Sequence, residues 1–334
     1  MALRRLTRAL ALAFGLATAA AGGAVVGVLM ADPAPRVVAP GVAMMRLPAP
    51  SETQPVERLA STDLTVAGVA RPADTVAAAV PAWRRYAVAA PATTRPMIAL
   101  IIDDMGVARE WSRQAVALPA PLTLSYLPYA DDLGRQTEAA RRAGHELFLH
   151  LPMEPDNPDL DTGPNALLTE LDTDELRRRL TWSLDRFTRY VGVNNHMGSR
   201  FTRDPAMMGL VLDALKRRGL AFVDSLTTPA SVGVRLARLV GVPVVGRDVF
   251  IDNQPDVEKI MVQLEGLEAL ALTRGYAVGV GHPRPATLTV LADWLPTLRA
   301  RGFALVPVSA ILARVTGVAT AAVAATEPKA GAAP

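Results

Sequence analysis

The chain has 334 residues, of which 50% are hydrophobic and 20% are charged, and its formal net charge at pH 7 is +3. It contains 0 cysteines, which excludes disulfides and thiolate ligands, so a bound metal must be held by His, Asp or Glu. The net charge is small and the arginines are spread along predicted helical faces, which argues against a nucleic-acid-binding protein.

The chain begins with a cationic, apolar segment that is typical of export signals. Three arginines among the first eight residues precede an uncharged stretch, residues 9–30, which is long enough to cross a bilayer. We interpret residues 1–31 as a signal peptide or signal anchor and favour an uncleaved anchor, with Ala17-Thr18-Ala19 as the alternative cleavage site. The flanking arginines predict that the rest of the chain lies outside the cytoplasm.

Two further segments lack the period of a helix or a strand. Residues 32–95 are dominated by Ala, Pro, Val and Thr, which predicts a linker. Residues 316–334 have the composition of a disordered tail. The folded domain is therefore expected within residues 96–315, which are enough for one α/β domain with a sizeable core.

Within this domain, apolar runs typical of strands alternate with segments of helical period. A repeat of strand and helix predicts parallel strands. Seven to eight such units favour an α/β fold of the (β/α) barrel type, regular or distorted, and an open doubly wound sheet is the alternative. The predicted strands are IALIID, LTLSYLP, ELFLH, VGVNN, AFVD, VPVVGR, YAVGVG and FALVPV.

Four of the predicted strands end in residues that can carry chemistry. Asp103 and Asp104 end the first, and His150, His196 and His282 end three others. Because the carboxyl ends of parallel strands meet on one face, these five side chains are expected to share one pocket. The remaining histidine, His145, begins its strand and is expected to be a structural residue on the opposite face.

The residue types at these strand ends favour a metal site. Adjacent carboxylates raise each other's pKa unless a cation lies between them or they share a proton. Alternation along the strand predicts that only one of Asp103 and Asp104 points at the metal. One Asp with two His is a common ligand set for Zn²⁺ and similar ions, and His150 and His196 are the natural partners. The alternatives are hydrogen-bonded structural histidines and an Asp pair that caps the following helix.

Other polar residues lie close to the same strand ends. Asp224 and Asp248 end predicted strands, and for each the open roles are to orient a catalytic group or to cap a loop. Asn195 and Arg200 flank His196, and for each the open roles are to bind substrate oxygens or to support the site from behind.

Six separated motifs of the chain resemble those of the divergent polysaccharide deacetylases. This bacterial envelope family is related to the carbohydrate esterases that remove N-acetyl groups from chitin and peptidoglycan. The motifs occur in family order, and the resemblance extends from about Pro96 to Arg314. They are IALIIDDMG, GHELFLHLPMEP, VGVNNHMGSRFT, FVDSLTT, GRDVFIDN and VGVGHPRPATLTVL.

The resemblance implies a set of metal ligands. In the main deacetylase group, the second aspartate of the strand-end pair is a metal ligand, and it matches Asp104. A GHE…H-[ST]-x-x-H stretch supplies two histidines. Its first metal histidine matches His150, but its second falls on Glu154, where this chain departs from the pattern. His196 of the NNHMGS motif is expected to take the missing place, with Glu154 left open as an additional ligand.

The resemblance also implies catalytic roles. The first aspartate of the pair, Asp103, matches the base that takes a proton from the attacking water. His282 of the GHP motif matches the late histidine that acts as general acid and protonates the leaving amine. Asp224 is expected to hold the imidazole of His282.

We therefore expect a metal-dependent hydrolase, with Zn²⁺ as the expected ion, that removes N-acetyl groups from an envelope polysaccharide or a peptidoglycan-type glycan. The expected location is the periplasm, with attachment to the inner membrane through residues 9–30. One alternative is a non-catalytic periplasmic protein that binds glycan or a partner and retains the fold. Another is a metal hydrolase for esters or other small amides. No Gly-rich phosphate loop follows a strand, so no nucleotide cofactor is expected.

Overall fold

The computed structural model describes residues 80–318. The predicted signal segment, most of the predicted linker and nearly all of the predicted tail lie outside these residues. Within residues 80–318, no helix is both long and apolar enough to cross a membrane. Ordered structure begins before the predicted boundary at residue 96, because Ala82–Arg85 form a short helix whose Trp83 is buried.

Strands and helices alternate along the described residues, and every strand pairing is parallel. The strands are β1 (Met97–Met105), β2 (Thr123–Tyr126), β3 (Glu146–Met153), β4 (Gly192–Met197), β5 (Ala221–Asp224), β6 (Val244–Gly246), β7 (Val249–Phe250), β8 (Tyr276–Gly281) and β9 (Ala304–Leu305). The helices are α1 (Ala82–Arg85), α2 (Arg109–Val116), α3 (Leu133–Arg142), α4 (Thr173–Leu184), α5 (Pro205–Arg218), α6 (Gly233–Val240), α7 (Val257–Arg274), α8 (Pro285–Trp294) and α9 (Val308–Thr316).

Local sequence explains several of the helix boundaries. The Asp172 and Asp204 side chains accept hydrogen bonds from the first backbone N–H groups of α4 and α5, and Pro205 occupies the first position of α5. Gly219 and Gly275 end α5 and α7 in the left-handed conformation that other residues adopt only at a cost. The two aspartates therefore begin helices that follow β3 and β4, and the two glycines end helices just before β5 and β8.

The sheet has the order β6-β5-β4-β3-β2-β1-β8-β7, and β9 pairs with the start of β1. Its two edge strands, β6 and β7, are neighbours in sequence. The chain passes from one edge of the sheet to the other between Arg247 and Asp248. The N–H of Arg247 still bonds to Asp224 on β5, and the N–H of Asp248 already bonds to Val278 on β8. The curled sheet therefore has an open seam, which confirms the expected α/β barrel in its distorted form.

The two faces of the curled sheet have different partners. Ile98, Leu100 and Ile102 on β1 belong to the large apolar cluster that includes the surrounding helices. Ala99 and Ile101 belong to a second cluster, together with inward residues of the other strands. Because side chains alternate along a strand, the inward rows continue to the strand ends and aim polar side chains into the barrel mouth. These polar residues are Asp103, His150, Asn194, Ser225 and His282.

Helix α9 covers the opposite end of the barrel. The backbone N–H groups of Val308 and Ser309 donate to Thr123 Oγ1 and Glu146 Oε1 at the starts of β2 and β3. The predicted structural histidine, His145, lies at this end. It is fully buried, and its ring nitrogens contact backbone groups that precede β2. The carboxyl ends of the strands are therefore the end at which a ligand site can open.

Candidate active site

A backbone irregularity brings both strand-end aspartates into one cavity. The pairing of β1 with β2 shifts register between Ile102 and Met105, and Asp104 has a left-handed φ of 55°. A shift of this kind interrupts the alternation of side chains. Asp103 and Asp104 therefore both line the cavity, and of the two only Asp104 belongs to the group of possible metal ligands.

Asp104, His150 and His196 form a compact cluster of ligand atoms. The carboxylate Oδ1 of Asp104 lies 3.0 Å from Nδ1 of His196 and 3.3 Å from Nε2 of His150. The two imidazole nitrogens are 3.2 Å apart. Four ligand atoms placed tetrahedrally at about 2.0–2.1 Å from a Zn²⁺ ion lie about 3.3 Å from each other. The three predicted metal ligands therefore have the spacing of one face of a metal coordination sphere.

The electrostatics of this cluster also fit a divalent cation. Asp104 Oδ1 is buried and accepts no hydrogen bond from the described residues, although two imidazole nitrogens lie close to it. Burial by itself would raise the pKa of Asp104, but the imidazoles of His150 and His196 outweigh burial and hold that pKa far below its usual range. An ionised, unpaired carboxylate oxygen that faces two ring nitrogens is a donor set for a metal ion.

Asp103 lies beside this cluster and is held by an asparagine. Its carboxylate is 2% exposed, and both of its oxygens accept hydrogen bonds from Asn194 Nδ2, at 2.8 and 3.0 Å. Burial raises the pKa of Asp103 despite the opposing effect of His150, His282 and Asn194. A buried carboxylate whose affinity for a proton is increased is suited to accept one during a reaction.

His282 faces the cluster from β8 and is held by Asp252. Its Nδ1 lies 2.9 Å from Asp252 Oδ1, its backbone N–H donates to Asp252 Oδ2, and its Nε2 lies 3.8 Å from Asp104 Oδ2. Thr287 Oγ1 donates to the same Asp252 carboxylate. Burial would raise the pKa of Asp252, but His282 outweighs burial and lowers it. Asp252 therefore stays ionised and orients the ring.

Asp224, which we expected to hold His282, lies elsewhere. It shares the outward side of β5 with Phe222, which packs against the helices. Its carboxylate accepts hydrogen bonds from Ser231 Oγ and from the backbone N–H of Leu226. In the sheet, β5 is separated from β8 by four strands, whereas β7 lies next to it. Asp252 follows β7, which explains why it takes the expected place of Asp224.

Two other sequence candidates have structural partners outside the cavity. Asp248 binds Arg274 and accepts the backbone N–H of Val278, so it joins the edge strand to α7. Glu154 accepts the backbone N–H and the hydroxyl group of Thr169 at 2.6 and 2.7 Å. Glu154 therefore stabilises a loop and does not belong to the cluster of metal-ligating atoms.

The two predicted substrate-binding residues also have partners within the protein. Asn195 belongs to the cavity wall, but it is 1% exposed and its amide bonds to the backbone of Ser225 and Met197. Arg200 is 3.3 Å from Glu154 and does not line the cavity. Alternation along β4 places Asn194, rather than Asn195, on the same side of the strand as His196. This pattern could have identified Asn194 as a residue that contacts the site.

The cavity at the barrel mouth has a volume of about 450 Å³ and includes Asp103, Asp104, His150, His196 and His282 in its wall. Sequence reasoning did not identify two arginines in the same wall, Arg247 and Arg284. A larger groove of about 650 Å³ lies between α1, α4 and α5, and no histidine lines it. The chemistry-bearing residues are therefore concentrated at the barrel mouth.

Comparisons with known proteins agree with this architecture. Residues 100–312 match the model of the family described as divergent polysaccharide deacetylase. The chain is 34% identical over 204 residues to the uncharacterized protein YibQ of Escherichia coli K12, a match that covers 60% of this chain and 63% of that protein, or less than two thirds of its length. An uncharacterized protein of Haemophilus influenzae Rd is 28% identical over 201 residues, which cover 60% of this chain and 71% of that protein. The crystal structure of the uncharacterized protein ATU2773 from Agrobacterium tumefaciens C58 superposes with a TM-score of 0.68 and 28% identity, over 69% of this chain and 95% of that chain.

Proposed function

Since the chain belongs to the divergent polysaccharide deacetylase family, we propose that it is a metal-dependent hydrolase that removes N-acetyl groups from an envelope glycan. The observation that carries this proposal is the convergence of Asp104, His150 and His196 within 3.0 to 3.3 Å. A buried carboxylate and an Asp-held histidine flank these three ligands. Together they supply the groups that amide hydrolysis requires.

Asp104, His150 and His196 would hold the ion. A divalent cation in such a site lowers the pKa of water and polarises a carbonyl group. The 34% exposed side chain of Asp104 lies at the open side of the cluster, where water and an acetamide group can approach. The buried His150 supports the cluster from the barrel interior.

Asp103 is the proposed general base. As water adds to the acetamide carbonyl carbon, a proton must leave the water oxygen, and the Asp103 carboxylate accepts it. Asn194 donates to both Asp103 oxygens, which keeps the carboxylate oriented while its charge changes. Its raised pKa supports this role, because a base with a higher proton affinity takes up the proton more readily.

His282 is the proposed general acid. When the carbon–nitrogen bond breaks, the nitrogen must gain a proton to leave as a neutral amine, and the acyl group leaves as acetate. Asp252 binds Nδ1 of His282, so Nε2 is the ring nitrogen that faces the cavity and delivers the proton. An ionised Asp252 stabilises the imidazolium that must exist before this transfer.

Acetate release from an N-acetylated glycan by the purified full-length chain tests the proposal. We expect turnover to depend on an added divalent metal and to fall by about 10²- to 10⁴-fold in Asp103→Asn, which removes the base and keeps its size. Arg177→Gln, on the exposed face of α4, is the matched control and should retain turnover. Absence of hydrolysis in the metal-loaded wild type, across chitin- and peptidoglycan-type glycans, would contradict the proposal and favour a glycan-binding protein.

The envelope location is part of the same proposal. Its support is the arginine-flanked apolar stretch of residues 9–30, together with the location that an envelope glycan implies for its hydrolase. Fusion of a reporter enzyme that is active only outside the cytoplasm to residue 80 tests it. Activity of the fusion is the expected result, and an inactive fusion that accumulates in the cytoplasm would contradict the location.

A further inference from the structure

Two arginines in the cavity wall are not used by the proposed reaction. Arg247 donates from Nε to the backbone oxygen of Ser225 at 2.7 Å and from Nη2 to that of Leu226 at 2.9 Å. Its guanidinium stacks over the Phe250 ring at 5.2 Å. These contacts hold the group in one orientation and leave Nη1 without a hydrogen-bond partner among the described residues.

Arg284 is the second cation of this wall. Its Nη1 donates to the backbone oxygen of Asp252 at 3.1 Å. The Asp252 carboxylate binds His282 and Thr287 instead of Arg284. Arg284 is therefore fixed by a neutral carbonyl, with its positive charge uncompensated at short range.

Neither guanidinium lies within 4.0 Å of a carboxylate oxygen of residues 80–318. By contrast, Arg178, Arg218 and Arg274 each have a carboxylate oxygen within this distance. Burial lowers the pKa of Arg247, and the more distant carboxylates of Asp103, Asp224 and Asp248 oppose this effect without cancelling it. A half-buried cation without an ion pair is costly unless a ligand supplies the opposite charge.

Both arginines lie close to the proposed general acid, His282. The Phe250 ring, which carries the Arg247 guanidinium, is 5.4 Å from the His282 ring. Arg284 binds the backbone of Asp252, the residue that holds His282. Because His282 donates its proton to the leaving nitrogen, this part of the wall faces the sugar rather than the acetyl group.

We propose that Arg247 and Arg284 bind an anionic group, a carboxylate or a phosphate, on the sugar that carries the acetamide. The inference rests on the proposed function and narrows its substrate to an acidic N-acetylated sugar. A planar guanidinium with free N–H groups matches both oxyanions by paired hydrogen bonds. The two cations also offset the two aspartates of the cavity, so that an added anion is not repelled.

The test is binding of three sugars to the full-length chain, measured by calorimetry. The probes are N-acetylmuramic acid, which carries a carboxylate, N-acetylglucosamine 6-phosphate, and neutral N-acetylglucosamine. We expect one of the acidic sugars to bind on the order of 10-fold or more tightly than the neutral one. The stronger of the two acidic probes identifies the anionic group.

The ratio of the affinity for the preferred acidic sugar to that for the neutral sugar should fall about tenfold in Arg247→Gln and in Arg284→Gln. The control variant Arg177→Gln should keep this ratio. Arg247→Lys retains the charge and should keep part of the preference, which covers the case in which Arg247→Gln does not fold. Equal affinity for all three sugars, or an unchanged preference in both Gln variants, would overturn the inference.

The same set of proteins separates this inference from the proposed function. Equal rates of acetate release from neutral and acidic glycans, with equal affinities, would leave the hydrolase proposal intact and remove the charge preference. A clear preference for an acidic sugar without any acetate release would support the anion site and contradict the hydrolase.

Discussion

Three of the six non-glycine residues with a left-handed φ among residues 80–318 lie in the cavity wall. Asp104, Met197 and Leu226 have φ values of 55°, 53° and 47°, and they lie at or near the carboxyl ends of β1, β4 and β5. Non-glycine residues pay on the order of 1 kcal/mol or more for this conformation. All three line the cavity, so the strain lies where side chains must be aimed at one point.

Replacement of Asp252 by Asn tests the role of Asp252 in supporting His282 without changing the proposed metal ligands. The change removes the negative charge that stabilises the imidazolium and leaves Asp104, His150 and His196 in place. We expect kcat to fall by about 100-fold, with the metal content unchanged. The measurement is acetate release in parallel with elemental analysis.

Asp224→Asn is the comparison for that variant. Because Asp224 binds Ser231 and the Leu226 backbone on the outer side of the sheet, we expect a lower unfolding midpoint and a kcat within a few-fold of wild type. A loss of kcat larger than that in Asp252→Asn would mean that the sequence-based assignment of Asp224 is correct.

Glu146 predicts a pH dependence of stability that does not involve the cavity. It is fully buried beneath α9, and burial raises its pKa to about 7 despite hydrogen bonds from Ser309, Val88 and Thr123. The folded state therefore binds this proton more tightly than the unfolded state. The stabilisation is complete below about pH 4.5, the ordinary pKa of Glu, and is lost as the pH rises to about 7.

Glu146→Gln should remove this dependence. The difference in unfolding free energy between wild type and the variant is expected to change by roughly 3 kcal/mol between pH 4.5 and 7.5, in the direction that weakens the wild type. Denaturant unfolding at several pH values measures it. Parallel curves for the two proteins would contradict the assignment.

Most helices and strands follow from sequence patterns. All eight predicted strands are present, and Asp204, Gly219 and Gly275 are residue types that favour the helix ends at which they lie. The missed strand, β7, has only two residues, too few to show a period. The register shift before Met105 was also missed, because alternation alone predicts a regular strand. These two features decide how Asp104 reaches the cavity and how Asp252 reaches His282.

Two glycines, one inside helix α5 and one at the start of α6, give opposite predictions for replacement by Ala. A Cβ atom at Gly209 would meet no atom within 4 Å, so Gly209→Ala should stabilise the protein by about 1 kcal/mol through higher helix propensity. A Cβ atom at Gly233 would lie 2.5 Å from Asp224 Oδ2 and 2.9 Å from the Phe222 ring, so Gly233→Ala should destabilise it by about 1–3 kcal/mol.

Thermal unfolding of both variants measures this pair. Equal effects of the two substitutions would show that helix α6 does not pack on β5 as closely as described. A loss of catalytic activity in Gly209→Ala would likewise be unexpected, because α5 contributes no residue to the cavity wall.

At the scale of the whole molecule, the barrel separates stability from chemistry. Helix α9 and the Glu146 hydrogen bonds close the end where the strands begin, and the proposed site occupies the end where they finish. The sequence predicts this division through the positions of His145 and the other three histidines. The sequence does not predict the open seam between the edge strands β6 and β7. The contacts that β5 and β8 make with the chain at this seam join residues that are distant in sequence.

A bound divalent metal should stabilise the whole domain. A ligand that binds only the folded state, at a concentration 100 to 1,000 times its Kd, adds about 3–4 kcal/mol, which corresponds to a rise in Tm of roughly 5–15 °C for a domain of this size. We expect chelation to lower the Tm of wild type by this amount and to leave that of His150→Ala unchanged. An equal response to the chelator in both proteins would contradict binding at this cluster.

The central claim is that Asp104, His150 and His196 form a metal centre, and elemental analysis tests it most directly. The proteins to compare are the purified full-length wild type, the double variant His150→Ala with His196→Ala, and Arg177→Gln as control. We predict near-stoichiometric zinc or another divalent metal in wild type and control, and its loss in the double variant. A wild type that stays empty after reconstitution, or a double variant that keeps the metal, would contradict the claim.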